Sequence, residues 1–196
     1  LTPFRRRLEH LIPGFDFTRA QKRVIRELFS DLASPRPMNR LLIGDVGSGK
    51  TLVALSCMLL AVENGYQAAF MAPTEILAEQ HAGTIGRLLE GLPHPTAGRA
   101  LQVATYLGRM TKRERARVLE ALRDGSVDIV IGTHALTSGP VVFRNLGVAV
   151  VDEQHRFGVL QRQALYAKAD LPDTLIMTAT PIPRSLAMTV YGELDI

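Results

Sequence analysis

The sequence predicts an α/β domain, a mostly parallel sheet with helices on both faces. Three observations predict it. Short aliphatic runs such as Ile129-Val130-Ile131 and Val148-Ala149-Val150-Val151 alternate with longer helical segments. Continuous apolar strands suit a sheet covered on both faces, and the alternation suits right-handed crossovers. The polar motifs follow the ends of the runs, where parallel sheets gather their ligands. Finally, 196 residues are enough for one domain with a sizeable core.

Taken in order, the first helix is expected over 18–33, opened by Thr18 as a side-chain cap. A strand over 40–43 and a helix over 49–64 follow, with Gly65 placed to terminate that helix. Next come a strand over 67–72 and a helix over 74–90 opened by Thr74. Residues 91–98, rich in Gly and Pro, read as a loop. A strand over 101–107 leads to a helix over 111–124 that ends at Gly125. The remaining expectations are strands over 127–131, 148–151 and 174–177, and helices over 156–168 and 184–190.

Composition excludes several classes. No apolar run approaches the roughly eighteen residues that a membrane span needs. The longest, residues 51–62, carries Ser56 and Cys57 and ends at Glu63-Asn64-Gly65, so it reads as a buried helix. The start, with Arg5-Arg6-Arg7, lacks the apolar stretch of a signal peptide. A single cysteine, Cys57, cannot form an internal disulfide, and no Cys/His cluster has zinc spacing. A cytoplasmic setting away from membranes is expected. The net charge of +4 permits a polyanionic partner without requiring one. The basic cluster Lys112-Arg113-Glu114-Arg115-Ala116-Arg117 reads as a solvated helix face, with Glu114 and Glu120 available as partners.

The strongest chemical signal is Gly44-Asp45-Val46-Gly47-Ser48-Gly49-Lys50-Thr51, which matches the G-x-x-x-x-G-K-[ST] phosphate-binding loop. A strand precedes it and an apolar helix follows, as that motif requires. Gly44, Gly47 and Gly49 let backbone N–H groups, that of Ser48 among them, converge on phosphate oxygens without obstruction. The helix N-terminus adds partial positive charge. Lys50 can reach the β- and γ-phosphates, and Thr51 can offer its hydroxyl to Mg²⁺. A dinucleotide fingerprint is ruled out because Leu52 stands where its last glycine belongs.

Such a loop needs an acidic residue on a neighbouring strand. Val148-Ala149-Val150-Val151-Asp152-Glu153-Gln154-His155 supplies four apolar residues and then two carboxylates. Asp152, at the strand end, would hold the metal, and Glu153 would polarise the attacking water as general base. An apolar run followed by Asp-Glu can alternatively be a polar strand end that makes caps or surface ion pairs.

With both motifs in hand, the chain resembles superfamily 2 helicases, because Asp152-Glu153-Gln154-His155 is a variant of their DExH box. Gln21, with Phe17 upstream, resembles the Q motif, which implies an adenine contact. Pro73-Thr74 and Gln80-His81 resemble motif Ia, and Gly132-Thr133-His134 resembles the next block, which implies a DNA-facing role for both. Taken singly, histidines such as His81 and His134 more often cap or pack. Thr178-Ala179-Thr180-Pro181 resembles motif III. Gln154, His155, Thr178 and Thr180 are thereby implied to couple nucleotide state to DNA, with the motif III strand lying between those of the loop and the acidic motif. The block Arg156-Phe157-Gly158-Val159 and Met177 to Arg184 are similar to the RecG family. The transcription-repair coupling factor has a similar lobe, but its box usually carries a glutamate where this chain has Gln154.

What the resemblance implies is a RecA-like P-loop NTPase fold forming a single domain over residues 1–196, the first motor lobe. The second lobe and the wedge domain lie outside this sequence. The implied cofactors are ATP and Mg²⁺, and the implied partners are branched or forked duplex DNA and a second helicase lobe. The implied activity is ATP-dependent DNA remodelling, with the isolated lobe inactive or weakly active. A nucleotide-binding module without turnover of its own is the other expectation.

Overall fold

The computed structural model of the chain describes residues 2–12, 14–137, 139–152 and 172–179. Its centre is a six-stranded sheet of β1 (Asn39–Ile43), β2 (Gln67–Met71), β3 (Val103–Tyr106), β4 (Ile129–Gly132), β5 (Leu146–Asp152) and β6 (Asp173–Thr178). The spatial order is β1-β6-β5-β2-β4-β3. Every pairing is parallel. The strand of the motif III block therefore lies between β1 and β5, as the resemblance implied.

The sheet is buried on both faces, which is why its strands are apolar without alternation. On one face lie α1 (Thr2–Leu11), α2 (Arg19–Leu32), α3 (Lys50–Glu63) and α4 (Glu75–Leu89), around Phe70, Ile131, Val150 and Met177. On the other, α5 (Lys112–Asp124) and the β4–β5 connection close over Ala69, Met71, Val130 and Val151. Helix α3 is buried on nearly all sides, because it lies between the sheet and α2. Cys57 sits in that layer, and burial, followed by the charges of Asp173 and Asp31, pushes its thiol up to about 12. It is a packed apolar group rather than a nucleophile.

The helix starts follow the sequence expectations. Thr18 and Thr111 each form a reciprocal capping box, with Gln21 and Glu114 respectively. Thr74 accepts from the Leu77 N–H at 3.3 Å. Gly125 ends α5 at φ 80°, a left-handed conformation that glycine adopts without strain. Glu114 thus serves chiefly its helix cap, with Arg117 adding a weaker electrostatic pull.

Helix α1 was not expected. Its apolar face is narrow, carried by Phe4 and Leu8 one turn apart, and the intervening arginines hide it in the sequence. Both residues are buried, the helix packs on α4, and Arg7 donates to the Arg87 carbonyl. β4 starts two residues later than expected because Asp128 is drawn into a buried polar cluster. Its carboxylate accepts both terminal nitrogens of Arg99 at 2.6 and 2.7 Å and the Gln102 N–H at 2.8 Å. His94 Nε2 lies 3.3 Å away, while His94 Nδ1 accepts from the Thr96 and Ala97 N–H groups. This cluster pins the expected 91–98 loop to the sheet. The helices expected over 156–168 and 184–190 lie outside the described residues, as do Glu153, Gln154, His155 and Thr180.

Candidate functional site

The carboxyl ends of β1, β6 and β5 form one edge, and the expected nucleotide residues gather there. Ile43 pairs with Thr178, and Met177 pairs with Asp152. The phosphate loop leaves β1 one residue later, and the Gly44 N–H donates to the Thr178 carbonyl at 3.2 Å. One strand therefore separates the loop from Asp152. Two strand spacings, about 10 Å, leave room for a phosphate and a hydrated cation. Thr178 meets the loop through its backbone carbonyl and directly follows Met177, which pairs with Asp152, a suitable place for a coupling residue.

The loop is shaped as a cradle. Gly47 and Gly49 have φ values of 82° and 83°, which favour glycine. A Cβ on Gly44 would come within 2.8 Å of Ser48 Oγ. The other long helices have a threonine side chain on their first N–H groups, whereas α3 opens at Gly49 with no side-chain cap. Its first amides remain available to an anion. Lys50 Nζ donates to the carbonyls of Gly44 and Asp45 at 2.6 and 2.8 Å, which holds the cation against the loop. At the loop's tip Val46 is 88% exposed.

Gln21 has a use that the sequence did not reveal. Its Oε1 accepts from the Thr18 N–H at 2.9 Å and its Nε2 donates to the Ser48 carbonyl at 2.9 Å. The residue thus braces the phosphate loop from α2, and its Nε2 carries a second hydrogen that could serve adenine. A Cβ on Gly49 would lie 2.5 Å from this amide, a second reason for glycine there.

The blocks expected to face DNA differ in exposure. Thr74, Gln80 and His134 are exposed and Pro73 is half-buried. Ile76 beside them is 70% exposed. Three residues are corrected. Gly132 is buried because the backbone of β3 closes on it, so that a Cβ would meet the Tyr106 carbonyl at 2.4 Å. Thr133 is only 4% exposed, and its hydroxyl accepts from the Ala135 N–H at the start of a 3-10 turn, His134–Thr137. His81 points inward, its Nε2 2.7 Å from Asp152 Oδ2 and its ring 4.6 Å from that of Phe70. The signal was present in the sequence. Ala78, His81, Ile85 and Leu89 recur with helical spacing, and the three aliphatic members are buried.

Thr51 and Asp152 present a hydroxyl and a carboxylate, the hard oxygen donors that Mg²⁺ prefers. Among the described residues no cluster of three or more His, Cys, Asp or Glu could hold a metal by itself. A cation shared with a phosphate needs no such cluster.

A model of the DEAD/DEAH box helicase family matches residues 18–189. The chain belongs to the DEAD/DEAH box helicase family. It is 50% identical over 182 residues to the ATP-dependent DNA helicase RecG of Staphylococcus epidermidis, covering 93% of this chain and 26% of that protein. Identity to the RecG of Thermotoga maritima is also 50%, covering 93% of this chain and 22% of the relative. The chain thus spans about a quarter of the length of the curated relatives it matches. A solved structure of RecG bound to a three-way DNA junction superposes with a TM-score of 0.79 at 42% identity, covering 98% of this chain and 25% of that one. The helicase MrfA, at 18% identity, shares the fold with a TM-score of 0.73, covering 100% of this chain and 32% of that one. The helicase sheet is the RecA-like parallel sheet expected from the sequence. Among the described residues no helix is long and apolar enough to cross a membrane.

Proposed function

We propose that this chain is the first motor lobe of a RecG-like ATP-dependent DNA helicase that remodels branched or forked duplexes. The observation that carries the reading is the meeting of the phosphate loop, Thr178 and Asp152 at one sheet edge. The 50% identity to RecG proteins across nearly the whole chain supports the substrate class.

In this reading Lys50 leaves the loop carbonyls for the β- and γ-phosphates of ATP, and the uncapped amides of α3 receive phosphate oxygens. Mg²⁺, when bound, neutralises phosphate charge, and Thr51 and Asp152 are the residues that would hold it. Glu153 orients and deprotonates the attacking water. A second helicase lobe closes over the nucleotide and supplies cations in addition to Lys50. DNA lies along the exposed starts of α4 and the 3-10 turn, touched by Thr74, Gln80 and His134, with Pro73 shaping the approach. Such contacts address the phosphate backbone and give little base selectivity. Gln154, His155, Thr178 and Thr180 relay the nucleotide state.

The test compares Lys50→Ala and Glu153→Gln with the wild type in the complete protein, scoring ATP hydrolysis and forked-DNA unwinding. Both substitutions are expected to abolish unwinding, with Glu153→Gln still binding nucleotide. Unwinding retained by either variant would sink the reading.

A further inference from the structure

Two side chains at the carboxyl edge join elements that the proposed function treats separately. His81 belongs to α4, which opens at the exposed cap Thr74 and carries the exposed Gln80 next to His81. Asp152 ends β5 beside the phosphate-loop strand system. Their 2.7 Å bond connects the DNA-side helix to the metal-side carboxylate in a single step. The two side chains are 17% and 14% exposed, so water screens the contact weakly. A carboxylate only accepts, which places the hydrogen on His81 Nε2. Phe70 supports the ring from below, and Phe70 pairs with Val150, two residues before Asp152 on β5. The histidine is thus fixed by β2 and reports to the end of β5. The bond engages one of the two carboxylate oxygens, Oδ2.

We propose that His81 is a positioning residue that holds Asp152 in orientation for the cation and makes that orientation follow α4, so that DNA seated on α4 is felt at the nucleotide. The proposal rests on the reading of Asp152 and α4 given above. The polar clusters elsewhere in the fold, around Asp128 and Gln67, lie at the amino end of the sheet and fix loops. Here the bond runs between side chains at the carboxyl edge, on the two working elements. Outer residues that orient a metal-side ligand are worth roughly 10–100-fold in metal affinity or activity when lost.

The experiment uses His81→Phe, which keeps a ring against Phe70 but removes the donor, and His81→Gln, whose amide nitrogen can reach the same point. Binding of a fluorescent ADP analogue is measured with and without Mg²⁺, and the complete protein is assayed for stimulation of ATP hydrolysis by forked DNA. His81→Phe is expected to keep Mg²⁺-free binding within about twofold of wild type and to lose about tenfold of the tightening that Mg²⁺ gives. Its stimulation by DNA is expected to fall in step, and His81→Gln is expected to restore most of both. Wild-type behaviour in His81→Phe would overturn the proposal. So would equal losses in both variants, or loss of Mg²⁺-free binding, because either outcome would make His81 a packing residue. A wild-type chain whose nucleotide binding does not depend on Lys50 would overturn the nucleotide-site reading itself, and the link with it.

Discussion

The two ends of the same sheet handle polar groups in opposite ways. At the amino end, Gln67 is buried and fully used: its Nε2 donates to the Leu122 and Val127 carbonyls, and its Oε1 accepts from the Arg144 and Asn145 N–H groups. Asp128 nearby is equally saturated by Arg99, Gln102 and His94. At the carboxyl end, Lys50 rests on loop carbonyls that it can exchange for a ligand, and α3 opens without a cap. Saturated polar groups in low dielectric fix a fold, because each lost partner leaves a costly orphan. Polar groups held by replaceable partners are free to do chemistry. The difference separates scaffold from site without reference to any relative.

The largest effect expected from this contrast is functional. Lys50→Ala should weaken ATP binding or turnover by at least about 100-fold while leaving the unfolding midpoint within a degree or two, since the ammonium supports no buried element. Calorimetric titration beside a thermal melt checks both halves, and a large loss of stability would break the contrast. Asp128→Ala should do the reverse. Removing one partner of a buried pair costs about 3 kcal/mol, at the low end because the half-exposed Arg99 can turn to water. Denaturant unfolding should register that loss with nucleotide affinity unchanged.

A smaller effect sharpens the comparison at Gly132. Alanine there must displace the β3 backbone at Tyr106 and should cost about 1–3 kcal/mol in the same unfolding measurement. A DNA-binding defect without destabilisation would show that this residue faces DNA after all. The smallest effect concerns Glu114, whose carboxyl is held below the usual range, first by the Thr111 hydroxyl and then by the Thr111 backbone N–H. Because its folded pKa is lowered, its stabilisation is complete above the ordinary carboxylate range and is lost as pH falls through the folded value. Melting curves of Glu114→Gln should therefore lie below wild type above roughly pH 5 and converge with it in stronger acid.

Much of this was legible beforehand, for identifiable reasons. The six strands were visible because a parallel sheet covered on both faces needs unbroken aliphatic runs. The phosphate loop was visible because its chemistry fixes residue types at consecutive positions, and Asp152 because it ends such a run. Helix α1 was hidden because two apolar residues among arginines give a weak periodic signal. The brace from Gln21 to Ser48 and the Asp128 cluster join residues 27 and 29 positions apart, and no local pattern announces them. His81 is an intermediate case. Its helical register with Ala78 and Ile85 pointed inward, but the motif it resembles drew it toward DNA. Residues 153–155 and Thr180 lie outside the described residues, so their roles stand as proposals from sequence.

Nucleotide is expected to bind at the carboxyl ends of β1, β6 and β5. The most direct test is to titrate MgADP into the ¹⁵N-labelled chain and follow the backbone amides. Shifts are expected to concentrate at residues 44–52, at Thr178 and at Asp152, with His81 following and residues 94–102 unmoved. Shifts centred on the amino end of the sheet, or a spectrum unchanged by saturating MgADP, would contradict it.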